Sequence, residues 1–396
     1  MIRKVLFWTH LSCGVAAGLV IAMMSLTGAV LTYERQLVEW AERDLRAELP
    51  AGAARLPLDA LVAAVRAQRP GFEPTSITVA ADPAAPVQVS AGRSGFVYVN
   101  GYSGEVLGEG AVRLRAFFRT VTGWHRWFDA DGESRALWRA VTGASNLAFL
   151  FLIASGLYLW LPRTWRWVAF RTRLLLNSKA ATGQARDYNW HHVFGVWTAI
   201  PLAVVVGTAT VFSYSWANDV LYRSFGEQPP ARGRGGTPRE VSAPVSQAAG
   251  RVTPVQTADA TLAPDALFAI AAEHLDAWRR ITLDWPVSPE RGARFTIDQG
   301  NGGQPQKRHT LVLDAATGRI ISWEPFDSQT PARRARSWVR FLHTGEALGI
   351  VGQTIAGLVS LTSLVMVWTG LALAYRRLVA TPLKRRRARA ASRSAA

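Results

Sequence analysis

Long apolar runs alternate with polar segments along this chain, and four of the runs are long enough to cross a bilayer. They lie within residues 1–33, 137–161, 190–216 and 348–375. Each holds at least roughly 20 mostly apolar residues, the helix length that spans a hydrocarbon core of about 30 Å. We expect the first run to be retained as a helix, because it is long for a signal peptide and no small-residue cleavage site follows it closely.

The two longer segments between the spans have a different pattern, a short helix followed by alternating strands. They cover residues 34–136 and 217–347. The stretches "VYVNGYSGEVL" (97–107) and "LVLDAATGRII" (311–321) both alternate around a turn that ends in Ser-Gly or Thr-Gly, which is typical of a hairpin. The pattern therefore predicts two small α+β domains outside the membrane.

The chain repeats itself at two fixed offsets. At an offset of 181, "TGAVLTY" (27–33) aligns with "TATVFSY" (208–214), and His10 aligns with His191. At an offset of 214 the two predicted hairpins align, and so do Gly143 and Gly357. These matches predict a tandem duplication, in which a helix, an outside domain and a second helix occur twice in the same orientation.

The net charge of +17 is concentrated beside the apolar runs. Arginine and lysine gather before the first span, in the loop 162–189 and in the tail 376–396. Basic residues flanking spans mark the cytoplasmic side. We therefore expect both termini in the cytoplasm, the two domains in the periplasm and the protein in a bacterial inner membrane. This distribution argues against nucleic-acid binding.

Residues 226–262, rich in Pro, Gly, Ala and Ser, are expected to be a linker without a fold of its own.

Four of the seven histidines fall at the mouths of the predicted spans. His10 and His191, here called the inner pair, lie at the cytoplasmic face. His125 and His343, the outer pair, lie at the opposite face. Each pair takes one member from each half of the repeat. His192 is the alternative to His191, because the repeat aligns His10 with His191 but the two histidines are adjacent.

Paired histidines at equal depth in a four-helix bundle suit the two axial positions of a haem iron. The pattern therefore predicts two non-covalent haem b groups, one held by each pair. The single cysteine, Cys13, excludes a C-x-x-C-H attachment site. Gly14, Gly18 and Gly195 would admit a porphyrin or a neighbouring helix, and the sequence leaves both open.

Two arginines adjoin the outer pair. Arg126 and Arg340 are candidates for contacts with haem propionates or with an anionic substrate, and equally for an ordinary basic flank.

The hairpins quoted above, "GWHRWF" (123–128) and "FLHTGEALGIVGQ" (341–353) resemble the PepSY-associated transmembrane family over nearly the full chain. The resemblance implies reduction of ferric siderophores in the periplasm. No nucleotide or flavin fingerprint is present, so the electron donor is expected to be a separate cytoplasmic reductase or a membrane quinol.

Two other functions stay open. PepSY domains are associated with binding and restraining peptidases, so the protein could be a membrane-anchored peptidase regulator without redox activity. An iron or iron-chelate transporter would also suit an internal repeat.

Overall fold

The computed structural model describes residues 1–46, 54–92, 95–230 and 261–383. Most of the predicted linker and the end of the basic tail lie outside these ranges. The chain forms two compact units. The helical unit comprises residues 1–39, 113–217 and 337 onward, and the sheet unit comprises residues 40–112 and 218–336.

Eleven α-helices are present in the described residues. They are α1 (Ile2–Leu31), α2 (Glu34–Ala41), α3 (Leu58–Gln68), α4 (Val112–Trp127), α5 (Ser134–Trp160), α6 (Trp167–Leu174), α7 (Gly183–Ser213), α8 (Ser215–Ser224), α9 (Pro264–His274), α10 (Pro331–His343) and α11 (Gly349–Tyr375). Within the described chain, four of them, α1, α5, α7 and α11, are long and apolar enough to cross a membrane. The protein is therefore a multi-pass helical membrane protein.

The four long helices pack as a ring. Helices α1 and α7 each pack against both α5 and α11, so α1 and α7 lie diagonally opposite each other. Polar side chains inside the ring form hydrogen bonds with neighbouring helices, because the bilayer core offers no water to bond with them. The Asn146 amide on α5 donates to the Thr210 hydroxyl and the Val206 carbonyl on α7. The buried Gln353 amide on α11 donates to the Thr32 carbonyl, where α1 ends.

Charged side chains form hydrogen bonds and ion pairs at the helix ends that the sequence predicts to be cytoplasmic. The Arg3 guanidinium donates to the Leu159 and Leu161 carbonyls and so satisfies the last turn of α5. Asp187 is 1% exposed and pairs with Arg376 at 2.6 Å, which joins the start of α7 to the end of α11. Helix α7 thus begins within the segment predicted as a loop over 162–189.

Short helices lead into two of the long ones. Helix α4 ends shortly before α5 begins, and α10 ends at His343, just before α11. The turn between α10 and α11, here called the second corner, requires glycine, because Gly345 has a φ of +76°. A Cβ on Gly352 would lie 2.2 Å from the Gly345 carbonyl oxygen. The corner therefore closes only with glycine at both positions.

The sheet unit contains eight antiparallel strands. They are β1 (Ser76–Ala80), β2 (Val87–Ser90), β3 (Phe96–Val99), β4 (Val106–Gly108), β5 (Arg280–Asp284), β6 (Ala293–Asp298), β7 (Arg308–Leu313) and β8 (Ile320–Glu324). Buried residues of β1–β3 and β5–β7 form one apolar core with α3 and α9. Both predicted hairpins are present. Asn100 accepts two backbone N–H groups in the first turn, and Asp314 does the same in the second.

The strands form one sheet, where the sequence predicted two separate domains. Their order is β4-β3-β2-β1-β5-β6-β7-β8. Strands β1 and β5 pair along their whole length, and the Thr78 and Thr282 hydroxyls meet there at 2.9 Å. The pairing satisfies one exposed edge from each half, which separate sheets would leave open. The sequence pattern within each segment contains no sign of this pairing between segments.

Candidate functional site

The inner pair stands on two diagonal helices and faces two different neighbours. His10 on α1 has its Nδ1 2.8 Å from the Ser155 hydroxyl on α5. His191 on α7 has its Nδ1 3.1 Å from the Thr369 hydroxyl and 3.2 Å from the Met366 carbonyl, both on α11. The two imidazoles are close enough to interact electrostatically. The helical ring thus brings the predicted inner pair together.

The outer pair stands on the two lead-in helices. His125 on α4 has its Nδ1 2.9 Å from the Thr27 hydroxyl on α1. His343 on α10 has its Nδ1 2.9 Å from the Val205 carbonyl on α7 and 3.5 Å from the Thr208 hydroxyl. The centroids of the two imidazole rings are 6.2 Å apart, with their planes inclined at 59°. The predicted outer pair is therefore also brought together.

The carbonyl contacts fix the tautomer of two histidines. A carbonyl oxygen only accepts hydrogen bonds, so the Nδ1 of His191 and the Nδ1 of His343 must each carry a hydrogen and donate it. In a neutral imidazole the other nitrogen, Nε2, then keeps its lone pair.

The hydroxyl contacts are compatible with the same tautomer at the other two histidines, because each hydroxyl has a single hydrogen. The Ser155 hydroxyl donates to the Phe151 carbonyl of its own helix at 2.7 Å. The Thr27 hydroxyl donates to the Met23 carbonyl at 2.7 Å. When each hydroxyl donates to its own helix, it accepts from its histidine, and His10 and His125 donate from Nδ1. A backbone hydrogen bond from His125 to Met24 requires the same tautomer at His125. In this arrangement all four imidazoles have the Nε2 lone pair available.

The outer imidazoles are neutral at neutral pH. Burial and, next, the neighbouring His343 lower the pKa of His125 to about 4, and burial lowers the pKa of His343. Each of the four histidines is half-buried as a whole residue. A neutral imidazole with one nitrogen donating to the protein and the other free is the form that binds metals.

The spacing of the outer pair fits two ligands on one metal. An imidazole nitrogen binds a transition metal at about 2 Å, and the ring centre lies about 1 Å farther away, so two ligands on opposite sides have centroids about 6 Å apart. The observed 6.2 Å agrees with this arrangement. No group of three or more His, Cys, Asp or Glu residues that could hold a metal ion occurs in the described part of the chain. A bis-imidazole haem site needs only two.

Glycines adjoin three of the four histidines. A Cβ on Gly28, Gly156 or Gly370 would lie 3.3–3.4 Å from the Cε1 atom of His125, His10 or His191, respectively. The absence of a side chain at these positions lets each imidazole lie against a helix backbone. Sequence reasoning selected other glycines. Those residues, Gly14, Gly18 and Gly195, face leucine, valine and methionine side chains of neighbouring helices.

His192 has different surroundings from His191. Its Nδ1 lies 2.9 Å from the Tyr188 carbonyl of its own helix, and its ring lies against the Tyr188 ring with centroids 4.1 Å apart and planes inclined at 33°. His191 contacts α11 instead. The geometry therefore favours His191 as the partner of His10.

Arginines lie near the outer pair, and Arg126 is close enough to both imidazoles to interact electrostatically. The Arg126 and Arg135 guanidinium carbons lie 4.9 and 3.9 Å from the centre of the Trp127 indole ring. Arg139 and Arg340 are close enough to Arg126 to interact electrostatically. Burial and the other arginines, Arg139 first, lower the pKa of Arg126. In the described ranges, Arg126, Arg135 and Arg139 have no ion pair with a carboxylate. This cluster can attract an anion.

The sequence profile of the PepSY-associated TM region matches residues 7–377, nearly the whole chain. The chain belongs to the PepSY-associated transmembrane family. No curated protein matches it. Within this family member, the matched range includes all four paired histidines and the hydroxyl groups that hold them.

Sequence reasoning missed those hydroxyl residues. The offset of 181 that relates the repeated segments also aligns Thr27 with Thr208, and the offset of 214 aligns Ser155 with Thr369. The signal was therefore present in the alignment of the chain with itself. It was not recognised because serine and threonine in membrane helices commonly bond only to their own helix backbone.

Proposed function

We propose that the protein is an inner-membrane electron conduit with two haem b groups, which carries electrons from the cytoplasm to a periplasmic acceptor. His10 and His191 hold one haem, and His125 and His343 hold the other. A haem iron held by two imidazoles supplies one-electron chemistry. The protein's contribution is to hold the two groups at fixed depths and to exclude competing ligands.

The uniform state of the four histidines carries this proposal. Each donates from Nδ1 to a neighbouring helix and keeps the Nε2 lone pair. Interfacial histidines with a purely structural role have no reason to share one tautomer across four positions. Metal-binding histidines do, because the second nitrogen orients the ring and increases its basicity.

The separation of the two pairs suits a path through the membrane. Thr27, which contacts His125, lies about 25 Å along α1 from His10 at about 1.5 Å per residue. This distance is close to the hydrocarbon thickness of about 30 Å. In this proposal one pair serves each face, and the basic flanks support termini in the cytoplasm.

The repeat offsets support a tandem duplication as the origin of this arrangement. The offset of 181 relates His10 to His191 and Thr27 to Thr208, and the offset of 214 relates Ser155 to Thr369. In this proposal the two four-strand halves of the sheet descend from one PepSY-like unit.

The acceptor we propose is a ferric siderophore, in keeping with the family. The arginines without a carboxylate partner, Arg126, Arg135 and Arg139, support an anionic acceptor near the outer pair, or hold the haem propionates there. Reduction to Fe(II) weakens binding by hard oxygen ligands and releases the iron. The donor is a separate cytoplasmic reductase or a quinol.

Proteoliposomes test the conduit directly. Ferricyanide is trapped inside, and a membrane-impermeant reductant is added outside to protein of mixed orientation. We expect ferricyanide reduction with the wild type and none with His191→Ala or His343→Ala, since each variant breaks the path at one face. Equal rates in all three would refute the conduit. A trapped ferric siderophore with an Fe(II)-specific dye then tests the acceptor.

A peptide-binding regulator is the second candidate. Strand β8 is an edge of the sheet in the described chain, and its Ile320 and Ile321 are 49% and 56% exposed. An extended peptide could pair with such an edge. This function predicts a protein without haem that binds peptides, whereas the conduit predicts a coloured one.

A further inference from the structure

The connection between α5 and α7 is attached to α7 by a buried side chain. Residues 163–179, here called the α6 segment, contain helix α6, which packs against α7. The Asn189 amide on α7 donates to the Thr172 carbonyl at 2.8 Å and to the Leu175 carbonyl at 3.0 Å, and it accepts from the Asn177 N–H. These bonds satisfy carbonyl groups that the end of α6 leaves without a partner in its own helix.

A second attachment places the segment at the depth of the inner pair. The Trp197 indole on α7 donates to the Leu174 carbonyl at 2.9 Å. Asn189 and Trp197 lie about 12 Å apart along α7 at about 1.5 Å per residue, and His191 lies between them. The end of α6 is therefore attached beside His191, on the flank of a helix that crosses the membrane.

The free surface of the α6 segment carries large apolar side chains. Trp165 and Trp167 are 78% and 69% exposed, and Val168 and Leu176 are 71% and 54% exposed. Tryptophan is enriched where a bilayer meets water, because its ring is apolar and its N–H is polar. An exposed aromatic and aliphatic surface beside a membrane helix therefore suits the headgroup layer of a bilayer.

The charge of the segment has one sign. It contains five basic residues and no acidic residue, and the basic ones are Arg163, Arg166, Arg171, Arg173 and Lys179. Arg173 donates to the Trp160 carbonyl at the end of α5. The other four are exposed and have no ion pair with a carboxylate among the described residues. Basic side chains combined with tryptophan and aliphatic residues are typical of helices that lie on anionic membranes.

We propose that the α6 segment binds anionic phospholipids at the membrane surface. Its apolar side chains enter the boundary between headgroups and acyl chains, and its basic side chains contact the headgroup phosphates. Lipid fits this surface better than an acidic protein partner does, because the segment is attached beside a membrane-spanning helix and its apolar side chains would otherwise face water. The proposal needs no haem and is independent of the proposed electron conduit.

Lipid titration of the full-length protein in a neutral detergent tests the proposal. Dioleoyl phosphatidylglycerol, or phosphatidylcholine with the same chains, is added, and bound lipid is counted by native mass spectrometry. The test variant removes three exposed charges of the segment together, by Arg163→Gln, Arg166→Gln and Arg171→Gln. The matched control removes three exposed charges of the sheet unit, by Arg69→Gln, Arg291→Gln and Arg319→Gln.

We expect the wild type to bind phosphatidylglycerol more tightly than phosphatidylcholine, and salt to weaken this preference. One basic side chain near an anionic surface strengthens association by about fivefold. The affinity of the test variant for phosphatidylglycerol should therefore fall by more than about tenfold, while the control variant stays close to wild type. Equal binding of the two lipids by the wild type, or unchanged binding in the test variant, would overturn the proposal.

A spin label at Trp165→Cys, in a Cys13→Ser background, tests the position of the segment in bilayers that contain phosphatidylglycerol. A label at Glu109→Cys, an exposed position of the sheet unit, is the reference for water. We expect the Trp165→Cys label to be accessible to oxygen dissolved in lipid and shielded from a water-soluble nickel complex. A label as accessible to nickel as the reference would show a segment that projects into water, as a protein-docking surface would, and would overturn the proposal.

Discussion

The inner and outer histidine pairs meet the same chemical requirement with different parts of the fold. His10 and His191 belong to long helices that cross the membrane, so the packing of the ring places them directly. His125 and His343 belong to short helices, and their positions depend on the corners that lead into α5 and α11. We therefore expect the inner pair to tolerate local changes better than the outer pair.

The largest effect that this comparison predicts comes from the second corner. In Gly352→Ala the new Cβ would lie 2.2 Å from the Gly345 carbonyl oxygen, so the backbone must move. We expect the free energy of unfolding to fall by roughly 2–4 kcal/mol. The outer haem should be lost while the inner haem is retained, as counted by haem extraction and spectra.

The matched control is Gly207→Ala on α7. Apart from its chain neighbours and its own helix backbone, no heavy atom of the described residues lies within 4 Å of a Cβ at Gly207, so stability and haem content should be unchanged or slightly improved. Loss of the inner haem from Gly352→Ala, with the outer haem kept, would contradict the assignment of the two pairs.

The next largest effect comes from the ion pair between Asp187 and Arg376, at the end of the long helices where the inner pair lies. In Asp187→Asn the Arg376 guanidinium loses its charged partner at 2.6 Å. Breaking a fully buried pair costs about 3–5 kcal/mol, but Arg376 is about one third exposed, so we expect a loss of about 2 kcal/mol. Thermal unfolding measures it, and the inner haem should dissociate at a lower temperature than the outer one. Arg66→Gln, which breaks an exposed pair in the sheet unit, should change little.

The arginine cluster should affect only the outer pair. Arg126→Gln removes a positive charge that has no ion pair with a carboxylate among the described residues, so binding of an anionic ferric siderophore should weaken by about fivefold, equivalent to about 1 kcal/mol. Titration calorimetry at low and high salt measures this. An equal loss for an uncharged iron chelate would show that the charge is not the cause.

The smallest effect concerns the sheet unit and leaves both pairs unchanged. Both ring nitrogens of His309 are buried and have no hydrogen-bond partner among the described residues, and burial lowers its pKa, opposed by Asp327 and Asp298. The unfolded chain binds a proton at this residue at a higher pH than the folded protein does, so stability should fall as the pH drops below about 6.5.

The melting temperature of the wild type should therefore decrease more between pH 7.5 and 5 than that of His309→Gln. An identical decrease in both proteins would show that His309 does not contribute to the pH dependence.

The long helices and the inner pair could be predicted from the sequence. Hydropathy places the four long helices because a bilayer demands a fixed apolar length, and the observed helices lie close to the predicted runs, apart from the earlier start of α7. The pairing of His10 with His191 follows from an ungapped repeat.

The outer pair was harder to predict because its corners differ in length. The stretch from His125 to Gly143 is longer than the stretch from His343 to Gly357. The offset of 214 that aligns the two glycines therefore aligns His125 with Val339. The β1–β5 pairing could not be predicted either, since it joins segments that are far apart along the chain and leaves no local pattern in either of them.

The central claim is that two histidine pairs each hold one haem, and the spectrum of the purified protein tests it most directly. The protein in detergent is recorded oxidised and reduced with dithionite, and haem is counted as the pyridine complex. The account predicts low-spin b-type bands with two haems per chain, one in His191→Ala and two in His192→Ala. A colourless protein that also fails to take up added haem would contradict it.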